Sequence, residues 1–83
     1  MNQIITVKVQ YFAIFEELRG KGNETVHCLP QTARAFYEEL AVTHKFPYKL
    51  EDLRVAINDD FADWDYQLKD QDKVVFISPV SGG

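Results

Sequence analysis

The sequence predicts an α+β domain: a mixed sheet of about four to five strands, with one main helix on one face and a short extra helix. Three observations carry this. Apolar residues alternate with polar ones at the start of the chain. A single long helical periodicity runs through the middle, and a continuous apolar run closes the chain. Helices interleaved with a few strands in 83 residues leave room for one sheet and one core, with about 60–65 % of the unfolded chain's surface buried on folding.

The first strand is "IITVKVQYF", where Ile5, Val7, Val9 and Tyr11 alternate with Thr6, Lys8 and Gln10. A period of two gives one buried and one wetter face. In "FAIFEELRG", Phe12, Phe15 and Leu18 recur every third residue, which predicts a short helix ended by Gly20. "NETVHCLP" is a second strand bounded by Gly22-Asn23 and Pro30. "TARAFYEELAVTH" is the main helix. Ala33, Phe36, Tyr37, Leu40, Ala41 and His44 form one stripe, Thr32 is the expected N-cap, and Pro47 requires the helix to stop before Phe46. "KFPYKLED" reads as loop and "LRVAIN" as a third strand turning at Asn58-Asp59-Asp60. "FADWDYQL" reads as irregular or a short edge strand, "KDQDK" as a turn, and "VVFISPV" as the last strand.

Val74, Val75, Phe76 and Ile77 are all apolar, as suits a central strand covered on both faces. The first strand has a polar second face. If the two strands are neighbours, either Val74/Phe76 or Val75/Ile77 projects onto a face that is otherwise polar. Such an exposed apolar patch marks a partner site.

Thirteen acidic residues against nine basic ones give a net charge of −4. That argues against binding a phosphate backbone, which needs clustered Lys and Arg, and is compatible with docking on a basic partner surface. No run is long enough to span a membrane and no secretory signal pattern opens the chain, so the expected compartment is cytoplasmic. The one cysteine, Cys28, permits no internal disulfide and no cysteine-only metal cluster. Cys28 and His27 are adjacent on a strand, so their side chains point to opposite faces and cannot form a nucleophile–base pair. His44 is favoured at a helix C-terminus without any chemistry. The aspartates of "NDDFADWDYQLKD" lack the spacing and final glutamate of a calcium loop and read as turn residues, and Glu16-Glu17 and Glu38-Glu39 read as solvated helix faces. No metal site and no bound cofactor is expected.

The reactive candidate left is the last carboxylate, on Gly83. A Gly-Gly tail has no Cβ and can enter a channel too narrow for other residues. A carboxylate becomes electrophilic as a mixed anhydride with a nucleotide, which a sulfur nucleophile can displace. Extended from Ser78 to Gly83, the tail reaches about 20 Å.

The chain resembles the small, sulfur-carrier subunit family of molybdopterin synthase, a ubiquitin-like β-grasp family. "YFAIFEELRG" is similar to its F-A-x-x-x-E-L-x-G segment through Phe12, Ala13, Glu17, Leu18 and Gly20. Ala56-Ile57-Asn58 matches A-[VI]-N, Leu68, Asp70 and Asp72 follow in register, and Pro79, Val80, Ser81, Gly82 and Gly83 match the P-V-[ST]-G-G ending. The resemblance implies a β-grasp domain over 1–77 and a flexible tail over 78–83. It implies a carrier without its own active site, a non-catalytic subunit of a sulfurtransferase. Gly83 would be adenylated with ATP by a partner of the ubiquitin-activating type and converted to a thiocarboxylate by a sulfur donor enzyme. It would then deliver sulfur to cyclic pyranopterin monophosphate inside the large subunit, within a heterotetramer. The family's docking patch falls on Phe12, Phe61 and Ile77. Ser78 stands where the family often has proline, Glu16-Glu17 replaces a basic–acidic pair, and Gln71 stands where a glycine is common. If that turn needs a positive φ, Gln71 carries a local cost. The rival readings are a carrier for thiazole synthesis, a ubiquitin-like protein modifier, and a plain interaction module.

Overall fold

The computed structural model describes residues 3–78; the expected tail residues Pro79, Val80, Ser81, Gly82 and Gly83 lie outside the described residues. Strand β1, Ile5–Gln10, buries Ile5, Val7 and Val9 and turns Thr6, Lys8 and Gln10 outward, the alternation its sequence requires. It pairs antiparallel with β2, Asn23–Cys28, and parallel with β5, Lys73–Ile77. Strand β3, Arg54–Ile57, pairs antiparallel with β5 and with β4, Asp60–Ala62. The sheet order is β2-β1-β5-β3-β4, so the apolar last strand is central. A mixed five-stranded sheet of this order, with helix α2 (Ala33–His44) against one face, is the β-grasp, ubiquitin-like fold.

Helix α2 starts where the sequence places its cap. The Thr32 hydroxyl accepts a hydrogen bond from the Ala35 N–H at 3.2 Å, and Lys45, in a left-handed conformation, closes the helix before Phe46. Ala33, Phe36, Tyr37 and Leu40 are buried against the sheet. Rings from both layers meet there: Tyr37 and Phe76 lie edge-on with centroids 5.0 Å apart, and Phe15 meets Phe46 at 5.1 Å.

The short helix α1, Ala13–Arg19, forms and ends at Gly20 in a left-handed conformation as its sequence requires; Phe12, extended at φ −125°, precedes it, and Phe15 is its buried residue. One expectation is corrected. "KFPYKLED" is not all loop, because Leu50–Asp52 forms one turn of 3-10 helix.

The irregular segment after β4 has a structural task. The carbonyls of Trp64 and Tyr66 accept the N–H groups of Arg34 and Ala33, two donors that the first turn of α2 leaves without helical partners. The β3–β4 hairpin turns on Asn58 and Asp59, both at positive φ (53° and 77°), the geometry of a two-residue turn matched to sheet twist.

Candidate functional site

The face of the sheet turned away from α2 is built by parity. Because Gln10 stands beside Val75, Val75 opposite Ala56, and Ala56 opposite Phe61, these four side chains form one row across β1, β5, β3 and β4. Two residues further along β5, Ile77 stands opposite Arg54. Continuing the parallel β1–β5 register two residues past Gln10 brings Phe12 level with Ile77. The pair that projects onto the outer face is therefore Val75/Ile77, while Val74 and Phe76 enter the core.

The strand order thus brings the three expected docking residues, Phe12, Phe61 and Ile77, onto one face at the end of β5 from which the tail departs. Phe12 is 51 % exposed and Phe61 68 % exposed, whereas Val75 and Ala56 form a low apolar floor beside them. The Arg54 guanidinium lies over the Phe61 ring, 5.8 Å from its centroid, which orients the ring while leaving the site one positive charge. Arg54 and Ala56 are the patch members that the sequence reading did not single out. Their signal was parity: each is two residues from the next outward position of a strand whose other face, Val55 and Ile57, is buried.

The rest of that face is polar. Thr6 hydrogen-bonds the His27 ring at 3.1 Å, Lys8 is the register partner of Lys73, and Lys73 pairs with Asp59 at 2.7 Å. His27 therefore sits on the outer face. Cys28, next to it, packs toward the core, where burial pushes its thiol pKa up against the opposing hydrogen bond from Gln31. This is the environment of an inert cysteine.

Four of the six aspartates after β3 make side-chain bonds within the fold. Asp59 pairs with Lys73, Asp65 with Arg34 at 3.3 Å, and Asp70 accepts the Thr6 N–H at 2.7 Å. Asp72 is buried and fully engaged: one carboxylate oxygen accepts from the Asn58 amide at 2.9 Å, the other from the Tyr66 hydroxyl at 3.1 Å and the Lys69 N–H at 2.8 Å.

A second polar cluster ties α1 to β2. Glu24 accepts from the Tyr11 hydroxyl at 2.6 Å and from Arg19 at 3.0 and 2.9 Å. Burial alone would raise the Glu24 pKa, but the hydrogen bonds from Tyr11 and Arg19 and the Arg19 charge outweigh it and hold the carboxyl below its usual range. Burial and the Glu24 hydrogen bond push the Tyr11 phenol well up. Each of these shifts is accounted for by burial and by bonds within the fold.

The surface so described is an exposed aromatic and apolar patch on the outer sheet face, reaching the last described residues of β5. The model of the ThiS family matches residues 9–83. The chain belongs to the ThiS family. The molybdopterin synthase sulfur carrier subunit of Escherichia coli (strain K12) is 34 % identical over 80 residues, which cover 93 % of this chain and 99 % of the relative. A structure described as subunit 1 of a molybdopterin converting factor from Pyrococcus furiosus superposes with a TM-score of 0.76 at 36 % identity, over 92 % of this chain and 99 % of that one. The complex of subunits 1 and 2 of the molybdopterin-converting factor from Helicobacter pylori 26695 includes a chain of the same fold: TM-score 0.67, 22 % identity, 95 % and 100 % coverage. This ThiS-family chain is thus a homologue of the sulfur carrier subunit of molybdopterin synthase, with a ubiquitin-like fold.

Proposed function

We propose that this protein carries sulfur as a thiocarboxylate on Gly83 and delivers it to cyclic pyranopterin monophosphate in molybdenum cofactor synthesis. The observation that carries the reading is the likeness to the Escherichia coli sulfur carrier subunit along 99 % of that relative's length. The group formed by exposed Phe12 and Phe61 with half-buried Ile77, one residue before Ser78, supports it.

In this reading Pro79, Val80, Ser81, Gly82 and Gly83 form an arm slim enough to thread a partner's channel. An adenylating enzyme of the ubiquitin-activating type attacks the α-phosphate of ATP with the Gly83 carboxylate, releasing pyrophosphate and leaving an acyl-adenylate. Sulfur from a donor enzyme displaces AMP to give the thiocarboxylate. The large subunit docks on the outer sheet face and the pair assembles as a heterotetramer; that the Helicobacter pylori molybdopterin-converting factor forms a complex of subunits 1 and 2 supports a partner of this kind. ATP is consumed by the partner and no cofactor belongs to this chain. The setting is the cytoplasm.

The test begins with the purified protein, an adenylating enzyme, ATP and a sulfur donor. Intact-mass spectrometry should show one C-terminal oxygen replaced by sulfur. Adding large subunit and cyclic pyranopterin monophosphate should then return the carboxylate and form the dithiolene product. Transfer to thiazole synthase with none to the pyranopterin would replace this reading by the thiamine one. Isopeptide conjugates to lysines with no thiocarboxylate would make the protein a modifier.

A further inference from the structure

A groove of about 640 Å³ runs between β2 and α2, on the face of the sheet opposite Phe61 and Ile77. Val26 and Cys28 line one wall, Phe36 and Leu40 the other, and Ile4, 61 % exposed, stands at its end. Beside it, β2 is an edge strand with six consecutive register partners in β1 and, among the described residues, none on its other side.

The hydrogen-bond phase of that edge follows from one bond. Tyr11 donates its N–H to the Gly22 carbonyl, so Gly22 forms a bonded pair with β1. In an antiparallel ladder bonded pairs recur every second residue, so Glu24, Val26 and Cys28 face β1. The backbone N–H and C=O groups of Asn23, Thr25 and His27 therefore point away from the sheet. Proteins usually blunt such an edge with lysine, proline, a bulge or brevity. The other edge, β4, is three residues long, whereas β2 spans six with no lysine, proline or break in register.

We propose that β2 and the groove beside it form a second docking site, which takes an extended segment of another protein as an added antiparallel or parallel strand. Its backbone pairs with Asn23, Thr25 and His27. Because side chains alternate, every second residue of the added strand turns down into the groove against Val26, Phe36 and Leu40, and these should be β-branched or aliphatic. Among the described lining residues Glu39 carries the one acidic charge and no Lys or Arg is present, so the segment should carry a lysine or arginine beside its apolar pair. A second copy fits less well, because it brings the same Glu39 and a like net charge of −4. The site lies on the helix side of the sheet and two strands from β5, so its occupant leaves the outer face free.

The test titrates the ¹⁵N-labelled full chain with a panel of nonapeptides in which valine alternates with threonine, flanked by lysines, by glutamates or by neither. Lysine-flanked peptides should shift and protect the Thr25 and His27 amides and perturb Leu40. Thr25→Pro removes an outward donor without touching the ladder to β1 and should weaken binding at least about tenfold. Glu39→Lys, on an exposed helix position, should reverse the lysine-over-glutamate preference and covers the case in which the proline variant fails to fold. Absence of any shift at Thr25 and His27 with millimolar peptide overturns the proposal, as does a response confined to Phe61 and Ile77. A concentration-dependent dimer in sedimentation that Thr25→Pro abolishes would overturn it in favour of self-pairing.

Discussion

Asp72 holds the β3–β5 junction through three hydrogen bonds, and its partner Asn58 in turn accepts the Lys73 N–H at 2.9 Å. A buried carboxylate is costly unless each lone pair is used. Asp72→Ala leaves the Tyr66 hydroxyl, the Lys69 N–H and the Asn58 amide without their acceptor, and should destabilise the domain by about 2–4 kcal/mol, read as the loss in urea unfolding free energy. Glu24 makes a pH-dependent contribution. Its pKa is lowered in the folded state, so the stability it adds is present above the usual glutamate range and fades as pH falls through the lower folded value. Glu24→Gln should therefore cost about 1–3 kcal/mol at neutral pH, and less once the pH has fallen through the lowered folded value and the wild-type carboxyl is itself protonated. The tyrosines act at the other end. Burial pushes Tyr37 up to about 12 and Tyr11 higher, so the unfolded chain releases protons that the folded one keeps, and stability should fall as pH rises above ~10. Unfolding curves of wild type and Tyr37→Phe across that range check this: the phenylalanine variant should lose less of its stability there.

At the scale of elements, what could be read from the sequence was what depends on local period. Strand β1 and helix α2 keep one periodicity over many residues, so their buried faces and the Thr32 cap were legible. The central place of β5 was legible from its unbroken apolar run. The choice between Val74/Phe76 and Val75/Ile77 was not, because it depends on which neighbour sets the register. The short helix α1 and its Gly20 end were legible, but its exact start was not, since the three-residue spacing counts Phe12, which lies before it. The capping role of 64–66 could not be read either, since backbone carbonyls leave no side-chain signature. Gln71 was legible in part. Its place in the turn suggested a positive φ, and the turn has one, 72°. A left-handed residue with a Cβ costs about 1–2 kcal/mol, less what glycine loses in unfolded-state entropy. Gln71→Gly keeps the bond from its N–H to the Thr6 carbonyl and should stabilise the domain by about 0.5–1 kcal/mol, seen as a higher urea midpoint at unchanged slope.

For the molecule as a whole, the sheet separates two tasks. Its inner face carries the core that fixes the strand order, and the strand order assembles the outer patch from residues 12, 54, 56, 61, 75 and 77, none of which is informative alone. The proposed docking patch and the fold can then be perturbed independently. Phe61 is 68 % exposed and its main described contact is with Arg54, so Phe61→Asp should change unfolding free energy by no more than about 1 kcal/mol. An exposed aromatic beside a low apolar floor is the type of residue that dominates protein interfaces, and a carboxylate there would face a desolvated partner. Binding to the large subunit, measured by calorimetry, should weaken by at least about tenfold, or 1.4 kcal/mol. The same substitution on the opposite face of the sheet, Val42→Asp on the exposed side of α2, should leave that affinity unchanged. If Phe61→Asp binds the large subunit as tightly as wild type, the outer face is not the dock, whatever the tail carries.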